Sequence, residues 1–364
     1  MHQPQTLNDL REICLASPHV LPVGACTKSA LASAAEPQVV SIDMRGLTGV
    51  ISYDPSEFLI SVRAGTSIAE LVEVLRQHGQ YLPFDPVYAA RGATVGGSIA
   101  SGISGSCRLL YGGLRDFMME VAILDSAGRE IRGGGKVVKN AAGFDLPKLV
   151  VGSYGRMGII TEATLKVFPA PSGFLTLRYQ AGSVARGVAS GLRLLALPLP
   201  VAALDVEGDG TLWVRLAGPV NSLARIADRA SAQLPGLLAE RLQPGDTEQA
   251  IWRGRAEFDW VGNAPCLVRV ATAHHQCAEL CALLATWPQP PRVLLAGGGA
   301  VAWVACSSVD DLASLDELLG QQKLSGVVIN GPGGFRLLGD RHWVALAERI
   351  QQAFNQDQRL LAYS

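Results

Sequence analysis

The stretch Ala93-Thr-Val-Gly-Gly-Ser-Ile-Ala-Ser-Gly-Ile-Ser-Gly-Ser106 carries only small or aliphatic side chains and no charge, with glycines at 96, 97, 102 and 105. Backbone this bare can pass close to a flat ring or a diphosphate. Phe84-Asp-Pro86 precedes it, and Arg108 and Tyr111-Gly-Gly-Leu-Arg115 follow. From Pro86 to Arg115 there are three arginines and no acid, a local +3 that suits an anionic ligand better than a structural turn.

Two other segments share this character. Leu21-Pro-Val-Gly-Ala-Cys-Thr-Lys-Ser29 combines one glycine with hydroxyls and a lysine, so its N–H groups can form a concave anion site, and Ser29 to Ala35 behind it reads as helix-like. Val151-Gly-Ser-Tyr-Gly-Arg-Met-Gly-Ile-Ile-Thr161 feeds directly into a strand. Upstream of it Arg132, Lys136 and Lys139 come without an acid until Asp145, a second local +3. A need for tight turns explains each glycine cluster alone, but it does not predict two acid-free basic windows beside them.

Strand-like runs surround these segments: Val39 to Asp43, Gly49 to Tyr53, Phe58 to Arg63, Met119 to Asp125, Arg129 to Arg132 and Ile159 to Phe168. One helix is marked by Ile68, Leu71, Val72 and Leu75 on one face, with Ser67 and Glu70 as a capping box and Gly79 as its left-handed stop. Pro169 and the Pro-Ser-Gly after it break the chain. Beyond, strands (Phe174 to Tyr179, Val201 to Glu207, Thr211 to Leu216) alternate with helices (Val184 to Leu195, Val220 to Gln233). A second such group spans Cys266 to Asn330, with helices near Gln276 to Thr286 and Asp310 to Gly320. The pattern predicts an α+β sandwich of ferredoxin-like type. The expected domains are 1–170, 171–335, and a closing helix and tail over 336–364.

The chain has 364 residues, 31 Lys+Arg and 32 Asp+Glu, a net charge of −1 that offers no bulk field for nucleic acid or anionic membrane. Apolar residues are 48% and charged ones 17%, enough apolar material for large cores and too little charge for a disordered chain. No apolar run reaches the length of a membrane span, and Met1-His-Gln-Pro-Gln-Thr-Leu-Asn-Asp-Leu-Arg-Glu-Ile13 has charges where a signal peptide needs apolar residues, so the expected location is the cytoplasm. Seven scattered cysteines read as reduced thiols, with Cys277 and Cys281 a packing pair on a helix. His274-His275, expected on a strand with opposite orientations, reads as structural rather than as a metal site. His78 and His342 are expected at helix ends, and Trp213 and Trp303 in the core.

The order of the three segments resembles the FAD-binding domain of the vanillyl-alcohol oxidase and p-cresol methylhydroxylase family, above all its 2-hydroxy-acid dehydrogenase branch. Pro22-Val-Gly-Ala-Cys-Thr-Lys28 is similar to that family's diphosphate loop, Ala64-Gly-Thr66 to a first-subdomain signature, and Ala93-Thr-Val-Gly-Gly97 to its flavin-contacting loop. Lys139-Asn-Ala-Ala-Gly-Phe-Asp-Leu146 and Gly152 to Thr161 resemble its closing motifs. Within the branch, the chain's length and Tyr111-Gly-Gly-Leu-Arg-Asp-Phe117 resemble the FAD-binding subunits of bacterial glycolate oxidases.

The resemblance implies a two-subdomain FAD-binding domain followed by the α+β sandwich, and FAD as cofactor. Thr27, Lys28 and Ser29 would hold the diphosphate, completed by Val23, Gly24, Ala25 and Cys26. Thr94, Val95, Gly96, Gly97, Ser98, Ser101 and Gly105 would run along the flavin with Pro86, and Ile159, Ile160 and Thr161 would lie near adenine and ribose with Gly152 and Gly158. Ala25 and Cys26 stand where the family commonly has glycine. The absence of histidine from the first loop and of cysteine before Thr94 implies non-covalent FAD. The implied partners are a larger flavin subunit and an iron–sulfur subunit oxidising glycolate to glyoxylate, with any inner-membrane contact made through them. Larger dehydrogenases of the branch carry a His-x-Gly-Asp-Gly-Asn segment that supplies a base and metal ligands; nothing equivalent occurs here. Two other readings stay open: a stand-alone dehydrogenase holding its substrate carboxylate on Arg91 or Arg115, and a scaffold subunit without cofactor.

Overall fold

The computed structural model describes residues 1–33, 38–135 and 144–363. Its first layer is an antiparallel five-stranded sheet in the spatial order Val50–Asp54, Leu59–Arg63, Ile159–Lys166, Met118–Leu124, Glu130–Gly134. Ile60, Val62, Val121, Ile123, Ala163 and Leu165 pack in one core with residues of the helices Ile68–Arg76 and Val95–Ser101. On the first helix Ile68, Leu71 and Leu75 are buried, whereas Val72, expected on the same face, is 40% exposed. Ser67 Oγ accepts the Glu70 N–H at 3.1 Å, which caps the helix through one bond rather than a reciprocal box.

The second helix corrects the reading of Ala93 to Gly97 as a loop. Gly96 and Gly97 are poor helix formers. The helix forms because Thr94 caps it through the Gly97 N–H, Val95 and Ile99 enter the core, and Gly102 ends it at φ 62°. Tertiary packing overrides propensity here.

The second layer is an antiparallel nine-stranded sheet built from two βαββαβ units. The first unit orders its strands Ala239–Leu242, Phe174–Gln180, Thr211–Ala217, Val201–Glu207, and the second Arg292–Ala296, Val301–Cys306, Cys266–Ala271, Ser325–Asn330, with Leu337–Gly339 at the rim. Val201–Glu207 pairs with Arg292–Ala296, joining the units edge to edge. Helices Val184–Leu195, Val220–Ala232, His274–Ala285 and Asp311–Gln321 pack with one face of the sheet. The opposite face, with Leu267, Leu294, Trp303, Ala305 and Val327, joins the core of the first layer at Phe84, Tyr88, Ile99 and Ile103. Strand alternation therefore sends one set of side chains to the helices and the other to the first domain.

Cys277 and Cys281 are buried on their helix. His274 and His275 are its first two residues and are exposed, not on a strand as expected, because Gln276 caps the turn by accepting the Ala273 N–H. Trp303 is buried; Trp213 is half-buried, with the guanidinium groups of Arg178 and Arg255 at 5.2 and 4.7 Å from its ring centre.

After the helix Val344–Gln351 the chain returns to the first domain. The Val20 N–H donates to Arg359 O at 2.8 Å, Arg156 Nε to Ala362 O at 2.6 Å, and Tyr363 OH to Ser153 O at 3.0 Å. This strap ties the strand His19–Val23 to the loop 153–157, which form opposite sides of one cleft.

Candidate functional site

The cleft opens to solvent and is lined by residues from all three glycine-bearing segments. Its first wall is Pro22 to Lys28, delivered by the strand His19–Val23. A Cβ on Gly24 would lie 2.3 Å from Thr94 Oγ1, so this loop and the cap of the helix Val95–Ser101 sit in direct contact and need glycine there. The second domain fixes the loop as well: Asn330 Nδ2 donates to Thr27 O at 3.0 Å, the Gly331 N–H to Ser29 Oγ at 3.1 Å, and Tyr88 OH to Asn330 Oδ1 at 2.7 Å.

Lys28 is buried, with Nζ 5.6 Å from the centre of the Tyr88 ring, and pairs with no carboxylate among the described residues. Burial alone pulls its pKa down to about 8. An ammonium group withdrawn from water without a counter-ion destabilises the chain, and an anionic ligand in the cleft supplies the missing partner.

The floor is made by Ala64, Gly96, Gly97, Ala100 and Ser101. The Gly96 N–H donates to Ala64 O at 2.7 Å, and a Cβ on Gly96 would stand 2.8 Å from the Ala64 Cβ. A Cβ on Gly97 would meet only Thr94 Oγ1, at 3.0 Å, so beyond that contact it has open space. The far wall is Tyr154, Gly155, Gly158 and Ile160. The Tyr154 N–H donates to Ala100 O at 2.7 Å, and Arg156 beside it, stacked on Phe335 at 3.7 Å, carries the strap.

Of the residues expected at the site, Val23, Gly24, Ala25, Cys26, Thr27, Lys28, Thr94, Gly96, Gly97, Ser101, Gly158 and Ile160 line the cleft. The rest lie outside its lining. Val95 is buried in the core, Ser98 is buried with an unpartnered hydroxyl, and Ser29 is exposed and bonded to Gly331. Gly105 donates to Asp85 O, placing it and the neighbouring Pro86 away from the cleft, and Gly152 donates to Ile99 O behind the helix. Ile159 and Thr161 alternate with Ile160 along their strand; Ile159 packs with Leu10 and Ile42, and Thr161 Oγ1 bonds Ala122 O at 3.1 Å. Leu31, Ala32, Met44, Ala100, Tyr154 and Gly155 line the cleft without having been singled out. Tyr154 and Gly155 belong to a quoted motif, whereas nothing in the sequence marks Met44.

The basic windows resolve unequally. Arg91 pairs with Asp259 at 3.2 Å and Glu257 at 3.7 Å, and Arg132 with Glu162 at 2.8 Å. Arg115 is exposed. Lys136, Lys139 and the motif from Lys139 to Gly143 lie outside the described residues, as do Ala34 and Ala35 of the expected Ser29 to Ala35 helix, whose described part forms turns. No metal-binding cluster occurs among the described residues.

Cys26 sits at φ 53° in the left-handed region, where a Cβ is strained. Cys26→Gly is expected to stabilise the chain by roughly 0.5–1 kcal/mol in denaturant unfolding, the relief of strain being partly offset by the added freedom of the unfolded chain. An unchanged or lowered midpoint would show that the thiol's own contacts outweigh the strain.

A family model described as an FAD binding domain matches residues 2–134. Glycolate oxidase subunit GlcE of Escherichia coli strain K12 is 33% identical over 241 residues, covering 61% of this chain and 68% of that one. D-lactate dehydrogenase of Anaerostipes hadrus is 33% identical over 38% of this chain, and glycolate oxidase subunit GlcD of Bacillus subtilis strain 168 is 29% identical over 54%. The chain spans only 29% and 41% of the length of those two larger relatives. Among solved structures, alkyldihydroxyacetonephosphate synthase superposes with a TM-score of 0.69 at 15% identity, over 98% of this chain and 74% of that one, a likeness of fold. The sequence match across two thirds of GlcE, carried on this fold, shows that the chain belongs to the GlcE family of FAD-binding proteins.

Proposed function

We propose that this chain is the FAD-carrying subunit of a glycolate oxidase complex, working with a larger flavin subunit and an iron–sulfur subunit. The observation that carries the reading is the cleft itself, where a bare glycine floor meets a buried lysine with no counter-ion among the described residues. These residues fit FAD: Gly24 to Lys28 would take the diphosphate, Lys28 supplying its charge, while Gly96 and Gly97 leave room for a planar ring against the floor. FAD, when bound non-covalently, supplies the reversible uptake of electrons, and the protein supplies binding and orientation. The strap and Asn330 hold the two walls at a fixed separation.

Two features favour a relay over a chain that oxidises substrate alone. Among the described residues no Asp, Glu or His lines the cleft, so a hydroxy acid there would meet no ordinary general base from them. Arg91 is already engaged by the carboxylates of Glu257 and Asp259, at 3.7 and 3.2 Å. The relatives matched include named subunits of glycolate oxidase, in keeping with a hetero-oligomer. No helix among the described residues is long and apolar enough to cross a membrane.

Glycolate added anaerobically to the isolated, FAD-loaded chain is expected to leave its visible flavin absorbance unchanged, and addition of the larger flavin subunit is expected to bleach it. Bleaching by glycolate with this chain alone would place substrate oxidation here and end the relay reading.

A further inference from the structure

The strand Ser325–Asn330 belongs to the second domain, yet its end is bonded to the loop that walls the cleft of the first. The Ala30 N–H donates to Ile329 O at 3.2 Å, Asn330 Nδ2 to Thr27 O at 3.0 Å, and the Gly331 N–H to Ser29 Oγ at 3.1 Å. Three consecutive residues of one domain thus hold Thr27, Ser29 and Ala30 of the other. The bond to Thr27 O also sets a direction. A trans peptide places its C=O and N–H on opposite sides, and no described peptide is cis. The Thr27 carbonyl and the Lys28 N–H share one such peptide. Asn330 draws the carbonyl toward the second domain, so the Lys28 N–H turns the other way. The N–H groups from Ala25 to Ser29 have no hydrogen-bond partner among the described residues, and Ala25, Cys26, Thr27 and Lys28 line the cleft. Donors left open in a row make a concave site for an anion, provided that the backbone is held in that conformation.

Tyr88 fixes the Asn330 amide in turn. Thr27 O can only accept, so Nδ2 must point to it, which leaves Oδ1 for the Tyr88 hydroxyl at 2.7 Å. The Tyr88 ring lies 5.6 Å from Lys28 Nζ. One pair of side chains therefore meets both the peptide and the ammonium group of Lys28. Tyr88 holds φ 59°, a left-handed conformation that costs energy for a bulky residue. Its N–H donates to Ala256 O of the second domain at 3.1 Å, and its carbonyl accepts the Ala93 N–H at 3.0 Å. Bonds to both domains hold the strained residue where its hydroxyl reaches Asn330.

We propose that Asn330 is a positioning residue for FAD: from the second domain it orients the Thr27–Lys28 peptide for the diphosphate, and Tyr88 acts through it. This rests on the functional reading above and adds the second domain to the cofactor site. FAD affinity then depends on how the two domains are docked, and by linkage bound FAD strengthens that docking.

Asn330→Leu keeps the size of the side chain and loses both of its bonds, while the bonds of Ile329 and Gly331 remain. FAD titrations of the full chain are expected to show affinity lowered by about tenfold or more in Asn330→Leu and by roughly threefold in Tyr88→Phe. The double variant is expected to bind FAD no more weakly than Asn330→Leu, because Tyr88 acts through the amide. Phosphorus NMR at saturating FAD gives the readout that a merely structural role would not move: both diphosphate resonances are expected to shift in Asn330→Leu. Unchanged affinity, independent losses that multiply in the double variant, or weaker binding with the bound resonances in place would each overturn the proposal. If Asn330→Leu does not fold, Asn330→Asp decides the same points, since its carboxylate accepts from Tyr88 and has no donor for Thr27 O. A chain that holds FAD equally well in every variant removes this inference and leaves the cofactor reading standing; an unsubstituted chain that takes up no FAD removes that reading and this inference with it.

Discussion

Replacing Lys28 by Met is expected to move two properties in opposite directions: the FAD-free chain gains roughly 3 kcal/mol of stability near neutral pH, and FAD binds 10- to 100-fold more weakly. The Lys28 pKa falls from 10.5 to about 8 through burial, so the folded chain holds its proton less tightly than the unfolded one. Near neutral pH both states are protonated and the full burial penalty is present. Between pH 8 and 10.5 the folded form loses the proton first, so FAD-free stability rises with pH across that window. Met keeps the apolar stem and removes the penalty. A bound diphosphate reverses the logic, because it favours the ammonium form; FAD affinity should therefore fall as pH rises through about 8 in the unsubstituted chain and stay flat in Lys28→Met. Denaturant unfolding without FAD, together with FAD titrations across this pH range, checks both arms. Loss of stability and affinity together would make Lys28 a packing residue and remove the diphosphate reading.

Gly97→Trp is the second large effect. The new Cβ meets only Thr94 Oγ1 at 3.0 Å, and the indole then has nowhere to go but the open side, across the floor of the cleft. The helix tolerates the change for a modest cost, since tryptophan is a better helix residue than glycine. Far-ultraviolet circular dichroism is expected to be unchanged while retained FAD drops below about a tenth of the unsubstituted level, the outcome for a blocked site rather than a broken fold. Full retention of FAD would place the ring elsewhere.

Much of this was legible in the sequence because the signals were local. The strand Val201–Glu207 formed with the bounds expected of it, and the glycine segments marked three sides of the cleft. What stayed hidden depends on long-range packing. Residues 95–101 lack helix propensity and become helical only because Val95 and Ile99 find a core. The joining of two βαββαβ units at Val201–Glu207 and Arg292–Ala296 leaves no sequence repeat to read. Met44 reaches the cleft from another element, and the strap from Arg359 to Tyr363 closes it from more than 200 residues away in sequence, as the pair Tyr363 and Ser153 shows with a separation of 210. The basic windows were visible, but only the structure showed that Arg91 is paired with Glu257 and Asp259.

The central claim is that this chain itself carries FAD. The direct measurement is the ratio of released FAD to protein after the chain is purified by itself, denatured and its supernatant assayed for flavin. A ratio near one FAD per chain, released without proteolysis, is the expected result. Colourless protein that takes up no FAD when it is supplied, yet still assembles with its partner subunits, would contradict the account and leave a scaffold in its place.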